Sequence, residues 1–254
     1  MTERNEGDAS TPTGQPVSLA QWVADILAER IIQFRYPEGY RLREQELAAE
    51  FRLSRSPIRE ALRILERDGH IELLPRRGAI VTALDEKTVD EVYKCRVRLT
   101  ALVAEEAAPH LTDEDLAFLE RIVKRMEQAV AIGDTDTYFQ CNVEFHNLLW
   151  ECSDNSVLQQ ILRALNSRVL RLRYLSMSLP SRAAISLVAH QDMLRELRAG
   201  NGEAAGRISA TLVDSAREAI LEHLRSRPDP TEDEVKPIAL KTALPVAVAA
   251  SARL

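Results

Sequence analysis

Arg55, Arg59 and Arg63 recur at intervals of four, a spacing that sets three guanidinium groups along one flank of a helix. Arginine's planar fork reaches guanine O6 and N7 with two hydrogen bonds and also pairs strongly with phosphate. Charge runs of this kind are often only a solvated helix face. A second cationic point at Arg76-Arg77, closed by Gly78, offers another contact on the same module and favours a nucleic-acid surface. The turn holding Arg55, Ser56 and Arg59 is the part expected to enter a major groove.

The elements that must carry these groups follow from apolar periodicity and breakers. Leu19, Val23, Ile26, Leu27 and Ile31 mark a first amphipathic helix that ends before Pro37-Glu38-Gly39. A short helix over about 43–51 and a break at Arg52-Leu53 come next, then a third helix over about 54–68. Ser54 or Ser56 can cap the third helix, and Pro57 is tolerated in its first turn. Ile58, Ala61, Leu62 and Leu65 give it an inward face, and Gly69 closes it. Ile71-Glu72-Leu73-Leu74 and Ala79-Ile80-Val81-Thr82 predict two strands of a small hairpin with the arginines at its tip. Three helices and a basic hairpin are the order of a winged helix-turn-helix domain.

The chain has 254 residues, with Lys+Arg 33 against Asp+Glu 39 and a net charge of -6. Its 45% hydrophobic and 28% charged residues suit a globular protein of one or two domains. Residues 17–83 are net +1 and residues 84–227 net -4, an asymmetry that points the first half toward a polyanion. No apolar run is long enough to span a bilayer and the N-terminus has no leader pattern, so a cytoplasmic location is expected. Cys95, Cys141 and Cys152 are odd in number and form no CxxC pair, which argues against disulfides and a structural zinc site. Six helical segments, punctuated by Pro109, Gly133, Asp154-Asn155, Pro180 and Gly200-Asn201-Gly202, are expected over 85–226. The fold class is therefore mainly α: an N-terminal winged helix-turn-helix followed by an all-α helical bundle, which can enclose a ligand cavity. The domain limits are 1–16 (disordered tail), 17–83 (DNA-binding), 84–227 (effector binding and dimerisation) and 228–254 (flexible tail, with the apolar Leu244 to Ala250 able to dock).

The runs LREQELA (Leu42 to Ala48), LSRSPIREAL (Leu53 to Leu62), Asp68-Gly69 and RGAIV (Arg77 to Val81) resemble the DNA-binding domain of the GntR family of bacterial transcription regulators. The resemblance implies base and phosphate contact by Arg55 and Arg59, phosphate contact by Ser54 and Ser56, and minor-groove or backbone contact by the wing at Arg76, Arg77 and Gly78. Gln45 stands where some relatives have a DNA-contacting arginine.

NVEFHNLL (Asn142 to Leu149), VAHQDML (Val188 to Leu194) and VYKCR (Val92 to Arg96) are similar to the FadR-type subfamily with the FCD ligand domain. There an Asp four residues before a His, with two later histidines, commonly binds a divalent metal that holds a small carboxylate. This likeness implies zinc or nickel at Asn142, His146 and His190, and an effector carboxylate clamped by Arg96. The chain departs from the pattern at Asn142, which replaces the Asp, and at the third histidine, whose place falls near Thr211 or Leu212. Thr100 stands where an acidic neighbour of Arg96 is often found, and Arg168, Arg171 and Arg173 are alternative clamps. His146 and His190 otherwise suit hydrogen-bonded core positions, while His70, His110 and His223 read as surface or helix-end residues.

The expected function is a homodimeric, non-enzymatic repressor that binds a double-stranded operator under control of a small-molecule effector, a carboxylate by the resemblance, with no membrane partner. Two other readings stay open: the same DNA reader with a metal-free pocket for a larger ligand such as an acyl-CoA, and a helical metal-dependent enzyme built on His146 and His190.

Overall fold

The computed structural model describes residues 18–74 and 78–227, apart from the side chains of Ser167 and Arg168. The terminal tails and the hairpin tip at Pro75, Arg76 and Arg77 therefore lie outside the described residues.

The N-terminal module opens with α1 (Leu19–Ile32), whose first turn is capped by Ser18 accepting from the Gln21 amide. Its Val23, Ala24, Leu27 and Ile31 are buried against α3 (Arg55–Arg67). Between them lies α2 (Glu44–Phe51), which ends at Arg52 in the left-handed region (φ 54°). The Leu53 amide then bonds the Ala48 carbonyl at 3.0 Å, reversing the chain in two residues. A non-glycine residue in that region costs roughly 1 kcal/mol, outweighed here by the packing of Leu47, Leu53, Ile58 and Leu62 that the reversal permits. On α3 the expected inward face is the observed one: Ile58, Ala61, Leu62 and Leu65 are all buried.

The sequence predicts a two-stranded hairpin; the sheet has three strands. β2 (Ile71–Leu74) and β3 (Gly78–Val81) pair antiparallel, and β1 (Arg41–Leu42) joins the free edge of β3, Leu42 opposite Ala79. Two residues carry no legible period, which is why β1 escapes a sequence reading. His70 also departs from expectation. It is 5% exposed, drawn inside because Gly69 turns the chain directly under α3 (φ 78°).

The second half is a bundle of six helices: α4 (Glu86–Ala107), α5 (Asp113–Ile132), α6 (Thr135–Cys152), α7 (Ser156–Ser178), α8 (Arg182–Arg198) and α9 (Gly202–Ser226). A capping box between Thr112 and Asp115 starts α5, and Asn201 caps α9 through the Ala204 amide. The α4 and α9 backbones approach so closely that a Cβ at Gly206 would lie 2.9 Å from the Ala101 carbonyl oxygen, so glycine is required there by contact. One core cluster runs through α5, α6 and α8 and includes Met126, Phe145 and Met193. Another, between α4, α7 and α9, includes Tyr93, Leu172 and Ile220 and receives Phe34 and Leu84 from the N-terminal side. None of these helices is long and apolar enough to cross a membrane.

Candidate functional site

Two surfaces gather the chemistry. On the first, Ser54, Arg55, Ser56 and Arg59 all lie exposed at the start of α3, with Gln45 exposed on α2 and Gly78 at the start of β3. Ser54 takes the N-cap position but its side chain makes no capping bond, so its hydroxyl faces outward unspent. Arg59 is not unengaged: its Nε donates to Glu44 Oε2 at 2.8 Å. A groove lined by Arg41, Arg43, Gln45 and Gly78, among others, separates α2 from the sheet. Arg41 is an exposed guanidinium on this face that sequence reasoning missed, because it sits on the two-residue strand. Arg76 and Arg77 lie outside the described residues.

The second surface is internal. Asn142 and His146 come from one face of α6, and Arg182, Ser186 and His190 from one face of α8 at successive intervals of four. Arg96 on α4 and Arg173 on α7 close the pocket. The structure thus brings together Arg96, Asn142, His146 and His190, as the resemblance implies, and adds Arg173 and Arg182. Arg171 points elsewhere, toward the N-terminal module, and the side chain of Arg168 lies outside the described ones. The pocket is small, about 30 Å³.

Against Asn142 and His146, which line the pocket, His190 is wholly buried. Its Nδ1 stands 2.6 Å from the Ser186 carbonyl oxygen, which fixes the proton on Nδ1. Its Nε2 is then an acceptor, placed 3.1 Å from Asn142 Nδ2 and 3.4 Å from His146 Nε2. Burial pushes His190 down to about 4, against the Ser186 bond and with Arg173. It pushes His146 well below its usual range, with Arg173, His190 and Arg96 adding to the effect. Both imidazoles are neutral near pH 7.

Neutral imidazoles with facing Nε2 atoms are the right half of a zinc or nickel site; the other half does not fit. Among the described residues no three His, Cys, Asp or Glu are gathered to hold a metal. No carboxylate of the described residues lines the pocket, and Leu212 contributes a hydrocarbon surface near the place of the third histidine. Asn142 turns its amide nitrogen to His190, leaving Oδ1 buried without a partner. Three guanidinium groups surround this set, and their field opposes a divalent cation.

A tie joins the two surfaces. Arg171, 3% exposed on α7, donates from Nη1 to the Thr82 carbonyl oxygen just past β3, and its Nη2 lies 3.8 Å from Glu38 Oε1. Glu38 also accepts from Arg227 at 3.0 Å and from the Leu84 amide at 3.3 Å. The Arg171 guanidinium lies over the Phe34 ring, 5.1 Å from its centre. Sequence reasoning placed Arg171 among possible effector clamps; its partners, distant in sequence, carry no local signal.

Known proteins place this architecture. The pattern described as bacterial regulatory proteins, gntR family, matches residues 19–81, and the FCD domain matches residues 91–226. The chain is 36% identical over 180 residues to the HTH-type transcriptional regulator YdhC of Bacillus subtilis, covering 70% of this chain and 80% of that protein. It is 28% identical over 206 residues to the HTH-type transcriptional repressor RspR of Escherichia coli, covering 81% and 90%. Among solved structures, E. coli McbR/YncC shares the fold with a TM-score of 0.72 at 24% identity, covering 83% of this chain and all of that one. With a winged helix-turn-helix that exposes arginines at the start of α3 and an FCD bundle behind it, the chain belongs to the GntR family of DNA-binding transcription regulators.

Proposed function

We propose that the protein is a homodimeric repressor in which residues 17–83 read an operator and residues 84–227 bind a small acid that controls that reading and join the two copies. The observation that carries the proposal is the exposed start of α3. Arg55 and Arg59 reach base edges, Ser54 and Ser56 bind phosphate, Gln45 contacts the duplex beside them, and the wing with Arg76, Arg77 and Gly78 grips the neighbouring backbone. Two copies would read a pseudo-palindromic site. The effector's carboxylate is clamped by Arg96, with Asn142, His146 and His190 as further polar contacts.

α7 connects the pocket to the reader, because Arg173 faces one and Arg171 holds the other. An effector that favours one placement of α7 shifts the placement of the wing, provided it binds the two arrangements unequally. As it stands the pocket, about 30 Å³, holds little more than about one or two water molecules, so a compact acid requires a small parting of α4, α7 and α8, and an acyl-CoA a far larger one.

The test begins with selection of bound duplexes from a random pool by the full-length chain, followed by anisotropy titrations on the selected sequence. Arg59→Ala should cost about 1–3 kcal/mol of specific affinity with an unchanged helical circular dichroism signal. Retained affinity and specificity would remove α3 from the groove. Turnover of small acids by purified protein would instead favour the enzyme reading.

A further inference from the structure

We infer that the pocket takes a compact ligand bearing two or more acid groups, bound directly by Arg96, Arg173 and Arg182 with no cation between protein and ligand. This rests on the reading of the pocket as the effector site and names the chemistry that site selects.

Each of three helices sends one arginine into this space, and the three are 5%, 2% and 7% exposed. Buried arginines normally lie against carboxylates, since a guanidinium removed from water without a counter-charge is costly. Here no Asp or Glu among the described residues lines the cavity. Arg96 Nε, Arg173 Nε and Nη2, and Arg182 Nε are all buried with no hydrogen-bond partner among the described residues. Arg182 Nη1 reaches only the Ser215 hydroxyl, at 2.7 Å, and Arg96 lies 5.2 Å from the centre of the Tyr93 ring. Neither contact supplies negative charge.

The count of charges then selects the ligand. A monocarboxylate leaves two of the three guanidinium charges uncompensated, a dianion leaves one, and a trianion none. A guanidinium also offers paired N–H donors that match the two oxygens of a carboxylate or phosphate. The unpartnered Asn142 Oδ1 supplies an acceptor for a hydroxyl between the acid groups. Met177, Leu212, Val213 and Ala216 add apolar wall and limit the size. Dicarboxylates and phosphorylated small acids share the required chemistry.

The experiment uses the full chain, purified without a histidine tag and dialysed against EDTA. Thermal unfolding and titration calorimetry are run with acetate, malonate and inorganic phosphate, with ionic strength matched by chloride. Malonate or phosphate should raise the midpoint and bind at least about tenfold more tightly than acetate, with no change on adding zinc or nickel. The stronger of the two identifies the acid group. Arg173→Gln and Arg182→Gln should each remove that shift. Each should also raise the midpoint measured in chloride alone, since an uncompensated buried charge is gone.

Equal binding of acetate and malonate, or an anion response that appears only with added metal, overturns the inference. So does a wild-type chain that malonate and phosphate stabilise no more than chloride does. The wild-type comparison decides the matter even where a variant fails to fold. Anion binding that leaves operator affinity unchanged would support this chemistry and remove the effector reading instead.

Discussion

Arg171 Nη1 stands 2.6 Å from the carbonyl oxygen of Thr82, 89 positions earlier in the chain, so a buried guanidinium in the middle of α7 holds the end of the wing sheet. Burial draws its pKa down to about 10, Glu38 opposing the shift and Arg227 adding to it. The bond is therefore retained against a desolvation cost, and its value lies in fixing two modules relative to each other. Arg171→Met keeps the packing on Phe34 and removes the tie. Stability should change by less than about 2 kcal/mol, while proteolysis of the 82–85 linker should quicken several-fold with an unchanged circular dichroism spectrum. An unaltered cleavage rate would show that Phe34, Leu84 and the Arg227–Glu38 pair hold the modules without Arg171.

The pair between Arg59 and Glu44 sets a carboxylate against the arginine assigned to the operator. Exposed pairs of this kind contribute up to about 1 kcal/mol, and on the proposed reading DNA must displace this one. Glu44→Gln should tighten operator binding by about two- to fivefold, with the larger gain at low salt. Anisotropy titrations across a salt series measure it. Weaker binding in the variant would mean that Glu44 positions Arg59 for the duplex.

Acid should destabilise the fold well above the carboxylate range. Burial lowers His70 to about 4, with Arg171 adding to the effect and Asp68 opposing it, and His190 also lies at about 4. Below the unfolded value of about 6.5 the unfolded chain binds protons that the folded one refuses, so stability falls as pH drops from about 6.5 toward 4. Each of the two should cost about 2 kcal/mol by pH 5, with His146 adding in the same direction. Urea midpoints at pH 7 and pH 5 read the loss, and His70→Leu should remove part of it without touching the pocket. Equal midpoints would show that these imidazoles titrate freely in the folded protein.

The helices were legible because their faces are: Ile58, Ala61, Leu62 and Leu65 repeat on α3, and Asn142 and His146 share a face of α6. What stayed hidden depends on contacts across the chain. Arg182 heads a series with Ser186 and His190 at intervals of four, a signal available in the sequence but unread, since the serine between them hides the pattern. Arg171 and Arg173 differ by two positions, about 200° around a helix, and nothing local says which one meets a cavity and which a neighbouring domain. His70 is buried by a glycine turn, and β1 owes its existence to its partner strand.

The separation of Arg171 and Arg173 onto opposite sides of one long helix also bears on how such a regulator can diverge. If the pocket holds the effector as proposed, its wall around Arg173 can be rewritten, residue by residue, for a new acid while Arg171, Thr82 and Glu38 continue to hold the wing. The α2 and α3 surface can likewise be recoded for a new operator without disturbing either. On the proposed reading, signal, transmission and address lie on three non-overlapping sets of side chains, so a duplicated gene could acquire a new input in a few substitutions and inherit a working output.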